Sequence, residues 1–347
     1  MSQKKIAKVA GVSQATVSLV LAGQAGNSDE TRNRVLETAR RLKYRPNLLV
    51  RGMQTGKTRT IGVMAPPLDF YWSEVLYGIH DELAAADHVP ITLWSAHDRN
   101  GPWRREAPNE NVLEQVHRLL DRRIDGVILW PPVAEAYQEH VAEFCSRDLP
   151  VVTIDHKLPD RFRADSVFSD EVQGGALVAQ HLLALGHRSF AHLAGPSSST
   201  WAVERRETFR AALAQEGSKV SLVTLEAPKG GPYLAADKVR QLLTHPKRPT
   251  AIYAASDSYA KVVYRVAYEM KLSIPGDISV VGFSDDEFAA EMEPPLTTIR
   301  QPSYYIGRKA AELILGRSNG TLTEEGPITV KLPVSFIVRK STAANEK

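Results

Sequence analysis

At 347 residues, 43% of them hydrophobic, the chain has length and apolar content for two or three domains with real cores. Its single cysteine, Cys145, excludes an intramolecular disulfide framework and any multi-cysteine metal site, which fits a reducing compartment. The net charge of +3 hides an asymmetry: residues 1–60 carry 12 Lys and Arg against 3 Asp and Glu, and residues 61–347 carry 31 against 37. A basic arm on an acidic body is the footprint of a protein that sets one end on a polyanion.

In the arm, Ser2 caps a first helix with Ile6 and Val9 as its apolar stripe, and Ala10-Gly11 ends it. Ser13 caps a second helix, with Thr16 three residues on. Val17, Val20 and Leu21 share one face, leaving Gln14, Ala15, Ser18 and Leu19 on the others. Ser28 caps a third helix with the stripe Val35, Leu36, Ala39 and Leu42, which stops before Pro46. Three short helices around a tiny core, the second free to enter a major groove, make a helix-turn-helix plan.

From Thr60 the pattern alternates. Apolar runs at 61–65, 91–94, 126–130 and 151–154 are separated by helical stretches near 73–87, 110–123 and 135–147, the last containing Cys145 as a packed residue. The pattern then restarts: helices near 171–186, 201–216, 233–244 and 257–270 precede strands at 190–193, 220–223, 251–254 and 278–283. Continuous apolar strands between amphipathic helices predict an α/β fold of two doubly wound parallel-sheet halves. A ligand then belongs outside the carboxyl ends of the strands, in the cleft between the halves.

No G-x-S-x-G, H-E-x-x-H or strand-following G-x-G-x-x-G occurs, so a Rossmann-like enzyme is disfavoured and no cofactor is implied. His181, His187 and His192 lack a metal-ligand spacing. The run Gly52 to Thr58 imitates a phosphate loop, but it is one residue short and precedes its strand. No apolar stretch approaches the ~20 residues that span a bilayer, and the N-terminus is polar and basic; a cytoplasmic protein without membrane contact is expected.

The segments A-G-V-S-x-x-T-V-S (10–18), L-x-Y-x-P-N (42–47) and T-G-K-T-x-T-I-G-V (55–63) resemble the lactose-repressor (LacI/GalR) family of bacterial transcription regulators. The resemblance continues through Leu185-Gly186-His187-Arg188, the run from Ile274 to Phe283 and the run from Pro294 to Pro302, covering residues 2–340. It implies a helix-turn-helix domain (1–46), a hinge helix or linker (47–59) and a periplasmic-binding-protein-like core crossed three times by the chain. The core would divide into an N-subdomain (60–158 with about 289–319) and a C-subdomain (159–288 with about 320–340), followed by a polar tail (341–347).

The resemblance implies a homodimer on a pseudo-palindromic DNA operator, with Ser13, Gln14, Ala15, Thr16, Ser18 and Leu19 at the major groove. Leu19 stands where an Arg is often the reader, and Ala15 and Leu19 offer only apolar contacts, so guanine readout is forfeited there. Lys5 stands where an Asp is common. Asn47, Arg51 and Met53 match the hinge, with Met53 at the position of an apolar wedge for the minor groove.

Candidate ligand residues follow strands: Trp72, Asp155, Asp257 and Ser284. The resemblance adds Arg205, the arginine of R-x-x-x-F that clamps hydroxyls or carboxylates, the ring-stacking Tyr233, and Trp201 in the same loop. Trp130 is left unassigned. Ser256 and Ser284 replace the Asn and Asp of many sugar-binding relatives. The expected function is a repressor whose operator affinity is set by a small molecule, a sugar or sugar derivative. The rival is a solute-binding or sensory module of the same fold without DNA binding.

Overall fold

The computed structural model describes residues 2–21, 26–44, 56–66, 69–94, 112–130, 136–197, 199–227 and 231–345. The chain divides into two compact units, Met1–Arg59 and Thr60–Lys347. The hinge residues Asn47, Arg51 and Met53 lie outside the described residues.

The first unit holds helices α1 (Gln3–Ala10), α2 (Gln14–Leu21) and α3 (Asp29–Arg41). Gly11 ends α1 in the left-handed conformation (φ 67°), its N–H donating to the Ala7 carbonyl, a turn that glycine makes at little cost. The Ser13 hydroxyl accepts from Thr16 N (3.0 Å) and Ser28 from Thr31 N (3.3 Å), so two of the three predicted caps form, whereas Ser2 stands at the cap of α1 without a side-chain hydrogen bond. Ile6, Ala7, Ala10, Val17, Val20, Val35 and Ala39 make the core. Val9, expected in the stripe of α1, is 45% exposed. Ile6, Ala7 and Ala10 fill a contiguous arc of the helix, and Val9 falls outside it.

The second unit has two parallel sheets. The first has the order β11-β5-β4-β3-β1-β2, with β1 (Thr60–Ala65), β2 (Val89–Trp94), β3 (Gly126–Leu129), β4 (Val151–Ile154), β5 (Asp165–Ser169) and β11 (Thr329–Leu332). Helices α4 (Phe70–Ala85) and α11 (Ser303–Asn319) cover one face. On the other face, side chains of α5 (Val112–Asp121) and α6 (Ala136–Cys145) join a second layer of core. The second sheet has the order β7-β6-β8-β9, with β6 (Ser189–Ala194), β7 (Ser221–Glu226), β8 (Ala251–Ala254) and β9 (Ser279–Val281). It lies between α7 (Glu171–Ala184) with α8 (Thr200–Ala214) and α9 (Ala236–Thr244) with α10 (Asp257–Glu269). A two-stranded antiparallel ribbon, β10 (Thr298–Arg300) with β12 (Ser335–Ile337), sits where the chain changes halves.

Two expectations are corrected. Residues 159–169 and 329–332 are expected in the second half and residues 289–301 in the first, yet β5 and β11 extend the first sheet while Ala289, Leu296 and Thr297 pack with the second, so the chain crosses at Ser169–Asp170, Gln301–Pro302 and Pro333–Val334. β5 is short and polar (DSVFS) but fully buried, because tertiary partners satisfy its polar groups. Asp165 accepts two bonds from Arg317 (2.9 Å each) and one from Ile328 N (2.7 Å), and Ser166 meets Thr329 (3.2 Å). The polar tail is docked on the second half: Ser341 is fully buried, donating to the Val280 carbonyl and accepting from Thr297 N. Asn345 N then bonds the Leu185 carbonyl.

Candidate functional site

The carboxyl ends of both sheets face a cavity of about 520 Å³. Both sheets reverse strand order about the β1/β3 and β6/β8 pairs, and that reversal is where doubly wound sheets open a crevice. Pro66 and Asp69 follow β1, Trp130 follows β3, Asp155 follows β4 and Glu171 follows β5. From the second half, Pro196 and Trp201 follow β6, Ser256 follows β8, and Ser284 and Asp286 follow β9.

Of the residues singled out from the sequence, Trp72, Asp155, Trp201, Arg205 and Ser284 line this cavity. Trp72 lies in the first turn of α4, edge-on to Tyr71 (5.7 Å between centroids) and to Trp130 (6.2 Å). Asp69 caps that helix by accepting from Trp72 N (2.9 Å), which fixes the aromatic pair at the cavity rim. The Tyr71 hydroxyl donates to the Asp155 carboxylate, 2.8 Å from both oxygens. Burial raises the Asp155 pKa to about 7, with Glu171 repulsion adding to it and the Tyr71 bond opposing. Burial also raises Asp286 to about 7, helped by Asp257 and Asp69.

Arg205 is 4% exposed. Its Nε donates to Glu171 and its Nη1 to the Ala255 carbonyl (2.6 Å). Its guanidinium lies over Phe283 (3.5 Å to the centroid) and against Trp201 (4.7 Å). Glu171 also accepts from Ser169 (2.5 Å) and, with Ser169, from Gln301 Nε2. Two of the three crossovers are thereby tied to the cavity floor. The third joins them where Val334 N donates to Gln173 (2.9 Å).

Two expected ligand residues stand elsewhere. Asp257 is fully buried, accepting from Thr298 (2.6 Å) and Asp286 N (2.8 Å); it fastens the loop after β9 to the ribbon. Tyr233 does not line the cavity. It lies in the short turn Pro232–Ala235, and its neighbours Gly231 and Pro232 form the wall. Sequence reasoning missed Tyr71, Asp69, Glu171, Asp286 and Gln301. The after-the-strand rule reaches Trp130 and Asp286, but no local signal marks Glu171 as the partner of an arginine in another helix.

In the first unit, Gln14, Ala15 and Leu19 are exposed on α2, while Val17 and Val20 on its other side are buried. Ser13 and Thr16 are engaged in the cap, their hydroxyls 2.9 Å apart, and Ser18 is half-buried. The outward first turn of α2 is therefore the part free to meet another molecule. Among the described residues no group of His, Cys, Asp or Glu is placed to hold a metal ion, and no helix is long and apolar enough to cross a membrane.

Residues 3–47 match the model for bacterial regulatory proteins of the lacI family, and residues 179–342 match that for the periplasmic binding protein-like domain. The chain is 29% identical to the ribose operon repressor of Escherichia coli K12 over 325 residues, 91% of this chain and 92% of that one. Among solved structures it resembles the lac repressor dimer bound to operator and the anti-inducer ONPF, with a TM-score of 0.81, 27% identity and 99% of each chain covered. It also resembles a LacI-family regulator from Enterococcus faecium with bound ribose, with a TM-score of 0.66, 29% identity and 83% of this chain and 100% of that one covered.

Proposed function

This chain belongs to the LacI family of bacterial regulatory proteins, and on that premise we propose that it is a transcriptional repressor whose grip on DNA is set by a small molecule in the cleft. The observation that carries the DNA half is the Ser13-capped α2. Its outward side presents Gln14, Ala15 and Leu19 from a strongly basic unit, while Val17 and Val20 anchor it behind. Two copies of the chain place this helix in the two half-sites of a pseudo-palindromic operator, as suits a fold whose relative is a dimer on its operator. Gln14 reads adenine, and Ala15 and Leu19 meet thymine methyls. The hinge around Asn47, Arg51 and Met53 sits against the minor groove, with Met53 as the wedge.

The effector is a sugar or sugar derivative. Support comes from the cavity, where the aromatic rings of Trp72, Trp130 and Trp201 flank carboxylates that accept hydroxyls, and from the ribose bound by the Enterococcus faecium relative. Ligand contacts both halves and the floor that straps the crossovers together. Its affinity therefore differs between arrangements of the two halves, and this difference is all that can couple it to DNA.

Fluorescence anisotropy on promoter fragments tests this reading with the intact chain and a fragment of residues 60–347. The intact chain binds selectively and the fragment does not. Equal binding by the fragment would reject the reading and favour a solute-binding module.

A further inference from the structure

Helix α2 carries no charged residue along its length, although residues 1–60 hold 12 Lys and Arg against 3 Asp and Glu. Its polar groups have little to offer a base. The Ser13 and Thr16 hydroxyls lie 2.9 Å apart and Ser13 accepts from Thr16 N, so both are occupied by the cap. Ser18 is half-buried, and a hydroxyl bonds donors and acceptors alike, so it discriminates poorly between bases. Gln14 supplies the one side-chain amide of the helix, and it is exposed.

What α2 exposes beside Gln14 is apolar. Ala15 is exposed and Leu19 is 39% exposed. Four residues apart, they share one face at roughly 6 Å along the axis. Leu19 belongs neither to the core of this unit nor to the residues packed against it. Attraction for a polyanion has another source. Lys4, Lys5 and Lys8 on α1 and Arg34, Arg40 and Arg41 on α3 are exposed, and cations hold phosphates without regard to sequence. Grip and reading are thus divided between elements. In the major groove the apolar group that a base presents is the methyl on pyrimidine C5, which thymine carries and which cytosine gains on methylation.

We propose that α2 selects DNA by pyrimidine C5-methyl groups met by Leu19 and Ala15, so that 5-methylcytosine serves where thymine does and methylation of an operator cytosine tightens binding. The proposal rests on the operator reading of this helix and goes further by naming the deciding chemical group. A contact that needs a methyl alone is indifferent to whether an acceptor or a donor stands beside it on the ring. Burial of one methyl is worth about fourfold in Kd.

Modified duplexes test this. Selection from a randomised duplex pool by the full-length protein supplies the preferred site. Each thymine of that site is then replaced by deoxyuridine, which removes the methyl and keeps the pairing, and each T·A pair is also replaced by C·G and by 5-methylcytosine·G. Fluorescence anisotropy gives the affinities. Deoxyuridine at one or two neighbouring positions of a half-site should weaken binding about fourfold each, and about fifteenfold when one such position is changed in both half-sites. The salt slope should not move, because the phosphate contacts remain. At the same positions 5-methylcytosine should bind about fourfold tighter than cytosine. Leu19→Ala should bring the thymine-to-deoxyuridine ratio at one position close to unity, and Leu19→Met, which keeps an apolar contact, should preserve it. Each ratio is taken within one variant, so a change in folding stability cancels. A selected site at which deoxyuridine binds as tightly as thymine throughout overturns the proposal and leaves the operator reading standing. So does a full methyl preference that survives Leu19→Ala, or cytosine that binds as tightly as 5-methylcytosine. Failure to enrich any sequence overturns the proposal together with the operator reading.

Discussion

Glu171 and Arg205 form an ion pair sealed from solvent at the floor of the cleft, with side-chain exposures of 3% and 5%. Glu171 opens the helix just past the first crossover and also accepts from Ser169 and Gln301 at the crossovers. Arg205 stands in α8 of the second half. The pair thus joins the cavity to the crossover segments that link the two halves.

Removing one member leaves the other charged and buried. Arg205→Ala is expected to lower unfolding free energy by about 3–5 kcal/mol. Urea unfolding checks this; a loss under 1 kcal/mol would mean that the pair is not sealed as described.

Asp155 has its pKa raised to about 7, so the folded protein binds this proton more tightly than the unfolded chain does. The stabilisation is complete below the ordinary aspartate range near 4 and is lost as pH rises through 7. Asp155→Asn is therefore expected to unfold at higher urea than the parent at pH 8, with the advantage shrinking by pH 5. Taking the difference cancels His156 and His192, whose burial lowers them to about 4 and makes them act in the opposite direction on acidification. A difference that grows towards pH 5 would contradict the assignment.

Helices α4 and α11 touch backbone to backbone. A Cβ at Gly307 would overlap the Val75 carbonyl, and one at Gly78 the Tyr304 carbonyl. Gly307→Ala is expected to cost about 1–3 kcal/mol or more despite the better helix propensity of alanine. Denaturant titration of the single variant decides it; a stabilised variant would show that the helices can part freely.

The Ser13 cap supplies a bond that the first turn of α2 otherwise lacks. Ser13→Ala is expected to weaken the first unit by about 1 kcal/mol and to loosen DNA binding, since that turn is the proposed reading surface. Thermal melting of the unit, followed by anisotropy on an operator fragment, measures both.

The basic arm sets the salt response. If each subunit neutralises about 4–5 phosphates, the log–log slope of operator affinity against salt is about −7 to −9 for a dimer. Titration between 50 and 200 mM salt gives the slope, and a flat response would remove the arm from the interface.

The chain itself determined the parts governed by local chemistry. Caps at Ser13 and Ser28, the left-handed stop at Gly11 and the apolar runs of β1, β3, β4 and β8 were legible because each needs only near neighbours or a buried strand. Asp155 and Ser284 were legible because a doubly wound sheet opens its crevice at strand ends. Tertiary structure alone decided the rest. β5 reads as a polar loop until Arg317, far along the chain, neutralises Asp165. Asp257 reads as a ligand group until Thr298 and Asp286 close around it. Arg205 reads as a free clamp until Glu171 is found beside it. In each case a distant partner sets the cost of burying a charge, and residue spacing along the chain does not carry that information.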